Sequence, residues 1–157
     1  MTSTVFDAID AYERVLRVRR VEERMIELVE DNHSKGTVMH SGLGQEATAV
    51  GVAMARSEND VLFSTHRGVA HCVAWGADLG ALVAESIGRT GGHAGGLVGH
   101  MHIVDLEKGI VGTNGIVGAG LPWRSAPRLG CAIEAQTAVP SRSSETALRT
   151  RERFMRR

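Results

Sequence analysis

The stretch "DVLFSTHRGVAHCVAWGAD" constrains the fold more than any other part of the chain. Val61 to Thr65 read as a short buried strand by composition. The chain then runs through the polar step His66–Arg67 into an Ala/Val/Cys-rich helix that begins near Gly68. A strand that feeds straight into a helix argues for α/β layers around a parallel sheet, where ligands bind at the carboxyl ends of strands.

Neighbouring segments extend the same pattern. Apolar residues recur at Val5, Ile9, Tyr12, Leu16, Val21, Met25, Leu28 and Val29 with Arg and Glu between them, which predicts a long amphipathic helix started near Thr4 or Asp7. It should stop within "DNHSKG", where Asn32, Ser34 and Gly36 favour a turn. A small-residue run after Gly44 predicts a helix from about Gln45 to Arg56. Asp78 is placed to N-cap another, which ends at Gly88. From Arg89 to Gly120 the spacing of glycines, about one residue in three, predicts loop.

The chain has 157 residues, 43% hydrophobic and 23% charged, which suits one globular domain with a real core. A formal net charge of zero gives no argument for nucleic acid or membrane. That zero conceals an asymmetry: residues 1–122 hold ten Lys/Arg against fifteen Asp/Glu, a net of −5, and residues 123–157 hold eight Arg against three Glu, a net of +5. Cys72 and Cys131 are far apart and belong to no C-x-x-C, so neither a disulfide framework nor a zinc ribbon is indicated. With no signal peptide or transmembrane stretch in sight, the expected setting is cytoplasmic.

Three stretches carry candidate chemistry. His66 and Arg67 stand at a strand end, where Arg could bind an anion through two donors or could simply be solvated. "GGHAGGLVGHMH" and "GTNGIVGAG" admit three readings. His93, His100 and His102 could ligate a metal, but their spacing matches no standard zinc pattern. Phosphate cradling is the second, although neither G-x-G-x-x-G nor G-x-x-x-x-G-K-[ST] occurs, which also disfavours a nicotinamide dinucleotide site. The third is close approach of bare backbone to a flat ligand, which glycine permits.

Taken in order, "MHSGLGQEATAVGVA", "FSTHRGVAHCVAWGAD", "MHIVDLEKG" and "GTNGIVGAGLP" resemble the first part of the alpha subunit of the thiamine-diphosphate-dependent 2-oxoacid dehydrogenase E1 component, of the acetoin and pyruvate dehydrogenase type. The likeness covers roughly Arg14 to Pro122. It implies a truncated thiamine-diphosphate-binding domain, α/β, with a parallel sheet flanked by helices. It also implies an E1 beta subunit as partner in a heterotetramer, a lipoyl E2 as acyl acceptor, and a 2-oxoacid or acetoin as substrate. By the same likeness, His66 and Arg67 contact the diphosphate, Gly115 and Val117 present backbone groups to the aminopyrimidine, and His40 lines the active site beside the thiazolium.

Departures accompany the matches. Val69 stands where the family writes an imidazole, Gly95 and Leu97 where it writes lysines, and His100 where it writes a serine. The motif G-D-G-x-x-N-E-G, which holds Mg²⁺ in the family, does not follow "GAGLP". Residues 123–157 are instead rich in Arg, Ser, Ala and Pro without helical or strand periodicity, and compose a disordered, non-family tail. With wobble bases chosen freely, the same stretch read one frame over can encode a small-residue helix, a strand and G-D-G-A-x-N-E-G in that order. The expectation is therefore two segments: 1–122, the amino-terminal part of an E1 alpha domain, and 123–157, a frameshifted tail. The alternative function is a non-catalytic remnant that at most docks on a beta-like partner. Such a short chain should also leave Val52, Leu62 and Leu82 partly unburied.

Overall fold

The computed structural model describes residues 7–31, 39–58, 60–118 and 132–134, the last three by their backbone. Helix α1 spans Ala8–Glu30, α2 Glu46–Ala55, strand β1 Val61–Thr65, α3 Gly68–Trp75 and α4 Leu79–Ser86. Strands β2, Ile110–Asn114, and β3, Ala132–Glu134, complete the elements, with a 3-10 turn over Leu106–Lys108 before β2. Strand order is β2-β1-β3 with both pairings parallel, so the α/β expectation holds.

Local chemistry explains where the helices begin and end. Asp7 caps α1 by accepting from the N–H groups of Ile9 and Asp10, and Asp78 caps α4 by accepting from Ala81 N–H. Gly76 ends α3 at φ +103°, a left-handed turn that suits glycine. α3 is buried on every side, which is how a short helix without a polar face survives between other elements.

Burial on α1 differs from the periodic reading. Ile9 and Tyr12 are 73% and 62% exposed, and the stripe that faces inward is Val18, Glu22 and Met25, with Val15 and Val21 alongside. α1 packs against α2 and α3. Leu62 and Leu82, expected to be partly unburied, are fully buried in the single core with Met25, Val50, Val69, Trp75, Ile103 and Ile110. β1 owes its burial to its central place, flanked by β2 and β3.

Two elements lie where the sequence predicts loop. β2 falls inside the glycine-rich region: its residues pair in register with β1, Ser64 with Thr113 and Thr65 with Asn114, and long-range pairing overrides the local glycine signal. β3 lies in the aperiodic tail and pairs Val61 with Ala132 and Phe63 with Glu134. Gly68 is fixed by crowding, since a Cβ there would lie 2.4 Å from Thr113 Cγ2. Thr113 is itself tied to the preceding loop, because its N–H donates to Ile103 C=O and its Oγ1 accepts from Ile103 N–H. The first turn of α3 therefore sits directly on β2.

Candidate functional site

Because β1 and β2 are parallel neighbours and Thr65 pairs with Asn114, their carboxyl ends lie side by side. His66 and Arg67 leave one end, and Gly115 to Val117 leave the other. This crevice is the position that open parallel sheets offer to ligands.

His40 enters from the loop before α2. Its ring meets His66 edge-on at 5.4 Å between centroids and stacks on His100 at 6.0 Å. The His40 N–H donates to His100 Nε2 at 3.1 Å, so His100 is neutral with its proton on Nδ1. Burial, His40 and His102 together hold His100 below the usual imidazole range. Burial, the Arg67 guanidinium and His40 do the same to His66. His40 Nδ1 and His66 Nδ1 are buried without a hydrogen-bond partner among the described residues. Two imidazole nitrogens with no protein partner, beside a guanidinium, are free to meet a polar ligand.

A second buried group holds the His40 loop. Glu22, on the inner stripe of α1, accepts from Ser41 Oγ and from Gly42 N–H, each at 3.0 Å, and Arg67 donates to Ser41 C=O. Burial raises the Glu22 carboxyl above its ordinary range, against the opposing pull of these donors. Glu46 begins α2 and is held below the ordinary range: burial opposes ionisation, while Gly44 N–H and Arg19 favour it, the latter at 2.8 Å.

Sequence reasoning names five site residues, and the structure brings three of them together: His40 and His66 in ring contact, with Arg67 anchoring the His40 loop. Gly115 and Val117 lie at the adjacent strand end and are exposed, Val117 by 63%. Their turn is set by Asn114 Oδ1 accepting from Ile116 N–H. Val69, at the imidazole position of the resemblance, is fully buried in the core.

Two of the three histidines weighed as metal ligands are otherwise engaged, and the third, His102, is exposed. His100 is 2% exposed and bonded to the His40 backbone, and His93 Nδ1 lies 3.8 Å from Asp105 Oδ2. Among the described residues no group of three or more His, Cys, Asp and Glu is placed to hold a metal ion.

Two residues, Glu22 and Glu85, and the role of a third, His100, escape the sequence reading. His100 acts as a backbone acceptor, Glu22 holds the His40 loop, and Glu85 is fully buried and collects four loop N–H groups. The spacing of Glu22 from Val18 and Met25, four and three residues, is the signal that could have placed it on the buried stripe. A cavity of about 490 Å³ opens between the end of α4 and the loop, lined by Glu85, Arg89, Leu97, His100 and Met101 among others. Among the described residues no helix is long and apolar enough to cross a membrane.

The family model for the dehydrogenase E1 component matches residues 13–145. The chain is 43% identical over 113 residues to the alpha subunit of the acetoin:2,6-dichlorophenolindophenol oxidoreductase of Bacillus subtilis, a match covering 72% of this chain and 34% of that protein. It is 38% identical to the Cupriavidus necator protein of the same name, covering 73% and 34%, and 37% identical to the pyruvate dehydrogenase E1 component subunit alpha of Rhizobium meliloti, covering 72% and 32%. The chain thus spans about a third of the length of the curated relatives it matches.

Proposed function

Because the chain belongs to the dehydrogenase E1 component family, we propose that it is the amino-terminal part of a thiamine-diphosphate-dependent E1 alpha subunit. In this reading the whole enzyme decarboxylates a 2-oxoacid or cleaves acetoin, works with an E1 beta subunit, and passes the acyl group to a lipoyl E2 in the cytoplasm. The observation that carries it is the convergence of His40, His66 and Arg67 at the adjacent carboxyl ends of β1 and β2.

The residues fit the anionic end of the cofactor. The partnerless Nδ1 of His66 and the guanidinium of Arg67 suit diphosphate oxygens at a strand end. Gly115 and Val117, exposed beyond β2, would offer backbone groups to the aminopyrimidine. When bound, thiamine diphosphate supplies the carbon that attacks the substrate carbonyl and accepts its electrons. His40, neighboured by His66 and His100, would hold or deliver a proton beside that carbon. The family motif that carries the oxygen ligands for Mg²⁺ is absent from this sequence.

Titration of the chain with thiamine diphosphate and Mg²⁺, in the presence of its beta subunit, tests the reading. Saturable Mg²⁺-dependent binding, weakened at least about tenfold by Arg67→Ala, is expected. Absence of binding would leave the non-catalytic remnant. Two observations favour that second reading: Val69 is sealed in the core, and Leu97, at a lysine position of the resemblance, is 88% exposed and apolar.

Residues 123–157 are read as a stretch in a shifted frame. The family match reaches residue 145 and β3 lies at 132–134, so the first part of the stretch falls within that match and lends backbone to the sheet. The gene's wobble bases decide this: codons incompatible with G-D-G-A-x-N-E-G would end the frameshift proposal.

A further inference from the structure

Glu85 lies in the last turn of α4, fully buried, and the chemistry above makes no use of it. A buried carboxylate is costly unless it is hydrogen-bonded, and here one loop supplies all four donors. Oε2 accepts from Ala94 N–H at 2.7 Å and Gly96 N–H at 2.9 Å, and Oε1 from Val98 N–H at 2.8 Å and Gly99 N–H at 3.1 Å. Two bonds to each oxygen fix the carboxyl plane as well as its position. Burial alone would raise the Glu85 carboxyl, but these donors hold it below the ordinary range.

The loop is cut to fit this group. A Cβ at Gly92 would lie 2.4 Å from Glu85 Oε2, and one at Gly96 would lie 2.6 Å from Arg89 N. The residue after the last donor is His100, whose Nε2 takes the His40 N–H. One peptide link thus separates the clasped backbone from the ring that holds His40.

We propose that Glu85 is a positioning residue: by clasping residues 94–99 it holds His100 as acceptor for the His40 N–H and so fixes where His40 stands against His66. The inference rests on the reading of His40 and His66 as active-site groups. It adds a mechanical coupling between the end of α4 and the loop before α2, two places with no direct hydrogen bond between them among the described residues. The titratable and charged groups around this path include Arg89, His40, His66, Arg67, His102 and Glu22.

The test uses the full chain without cofactor and compares Glu85→Gln, Glu85→Asp and the core variant Met25→Ala. In Glu85→Gln, hydrogen exchange should quicken about 100-fold at Ala94, Gly96, Val98 and Gly99 and about tenfold at the His40 N–H. The His100 ring, followed by NMR, should titrate closer to the ordinary value of about 6.5. Glu85→Asp should recover most of the protection, and Met25→Ala should lower loop and helix protection alike. A loosened loop with unchanged His40 protection and unchanged His100 titration would overturn the proposal. So would loss of the whole fold in both Glu85 variants, which would make Glu85 a residue of the fold at large. If the unaltered chain fails to bind thiamine diphosphate yet these responses occur, the functional reading falls and the coupling stands.

Discussion

Between Ala49 and Trp75 the chain is held by many small apolar contacts, whereas between Arg89 and Gly99 four backbone N–H groups converge on the two carboxylate oxygens of Glu85. In the first region no single side chain dominates: Val50, Leu62, Val69, Cys72 and Trp75 share one core, and the cost of losing any of them is spread over neighbours. In the second, four backbone donors converge on one residue, and the intervening glycines contribute no side-chain packing. Distributed packing yields a rigid platform, and a single clasp yields a loop whose order depends on one group.

Substitutions can break this contrast. Glu85→Ala should have the largest effect, about 4 kcal/mol of local opening free energy for residues 94–99, since hydrogen bonds to a charged group contribute ~1.5–3 kcal/mol each and do not add fully. Native-state hydrogen exchange should find that loss confined to the loop; an equal loss throughout the core would erase the distinction between the regions. Leu62→Ala should cost about 3 kcal/mol of global stability by leaving a cavity beside the central strand, read as a lower urea midpoint with the loop following the core.

Acid should separate the regions without mutation. Burial pushes the His71 imidazole down to about 4 from 6.5, so the unfolded chain takes up the proton first as pH falls. The stability from keeping His71 neutral is therefore complete above about pH 6.5 and is lost on the way to about pH 4, a total of about 3 kcal/mol. Glu85, held below its ordinary range, stays ionised through most of that window. Denaturation at stepped pH should thus lower global stability while the relative protection of Ala94 to Gly99 against local opening persists. His71→Gln should flatten the slope if the assignment is right.

Smaller effects sharpen the comparison. Gly96→Ala should cost about 2 kcal/mol, because φ is +78° and the added methyl would meet Arg89 backbone at 2.6 Å. By contrast, Arg24→Ala removes an exposed 2.7 Å pair with Glu27 and should shift the midpoint by less than about 0.5 kcal/mol.

How much of this was legible follows from where the information lies. α1 and α4 carry their start signals in Asp7 and Asp78, and β1 carries its composition, so all three can be read locally. β2 cannot: Gly112 interrupts it, and it becomes a strand because β1 offers an edge. The meeting of His40, His66 and Arg67 follows from the family resemblance, but the ring contacts need the fold. Glu85 in "LVAES" looks like any charge on a helix, and only the return of a loop fourteen residues later reveals its use. In sequence, His100 shows only as a departure from a serine or a metal-ligand candidate, because its neighbours say nothing about a backbone N–H sixty residues away.

The crowding of Gly68 against Thr113 bears on how such a chain can change over generations. A larger residue at 68 demands a smaller one at 113, yet Thr113 cannot shrink to glycine or alanine without abandoning the Oγ1 that receives Ile103 N–H. Serine at 113 would keep that oxygen and remove Cγ2, yet its Cβ would still lie 2.9 Å from a Cβ at 68, so a change at 113 alone does not make full room. The pair is an evolutionary ratchet: once set, it narrows the order in which descendants can explore new sequences at the edge of the crevice.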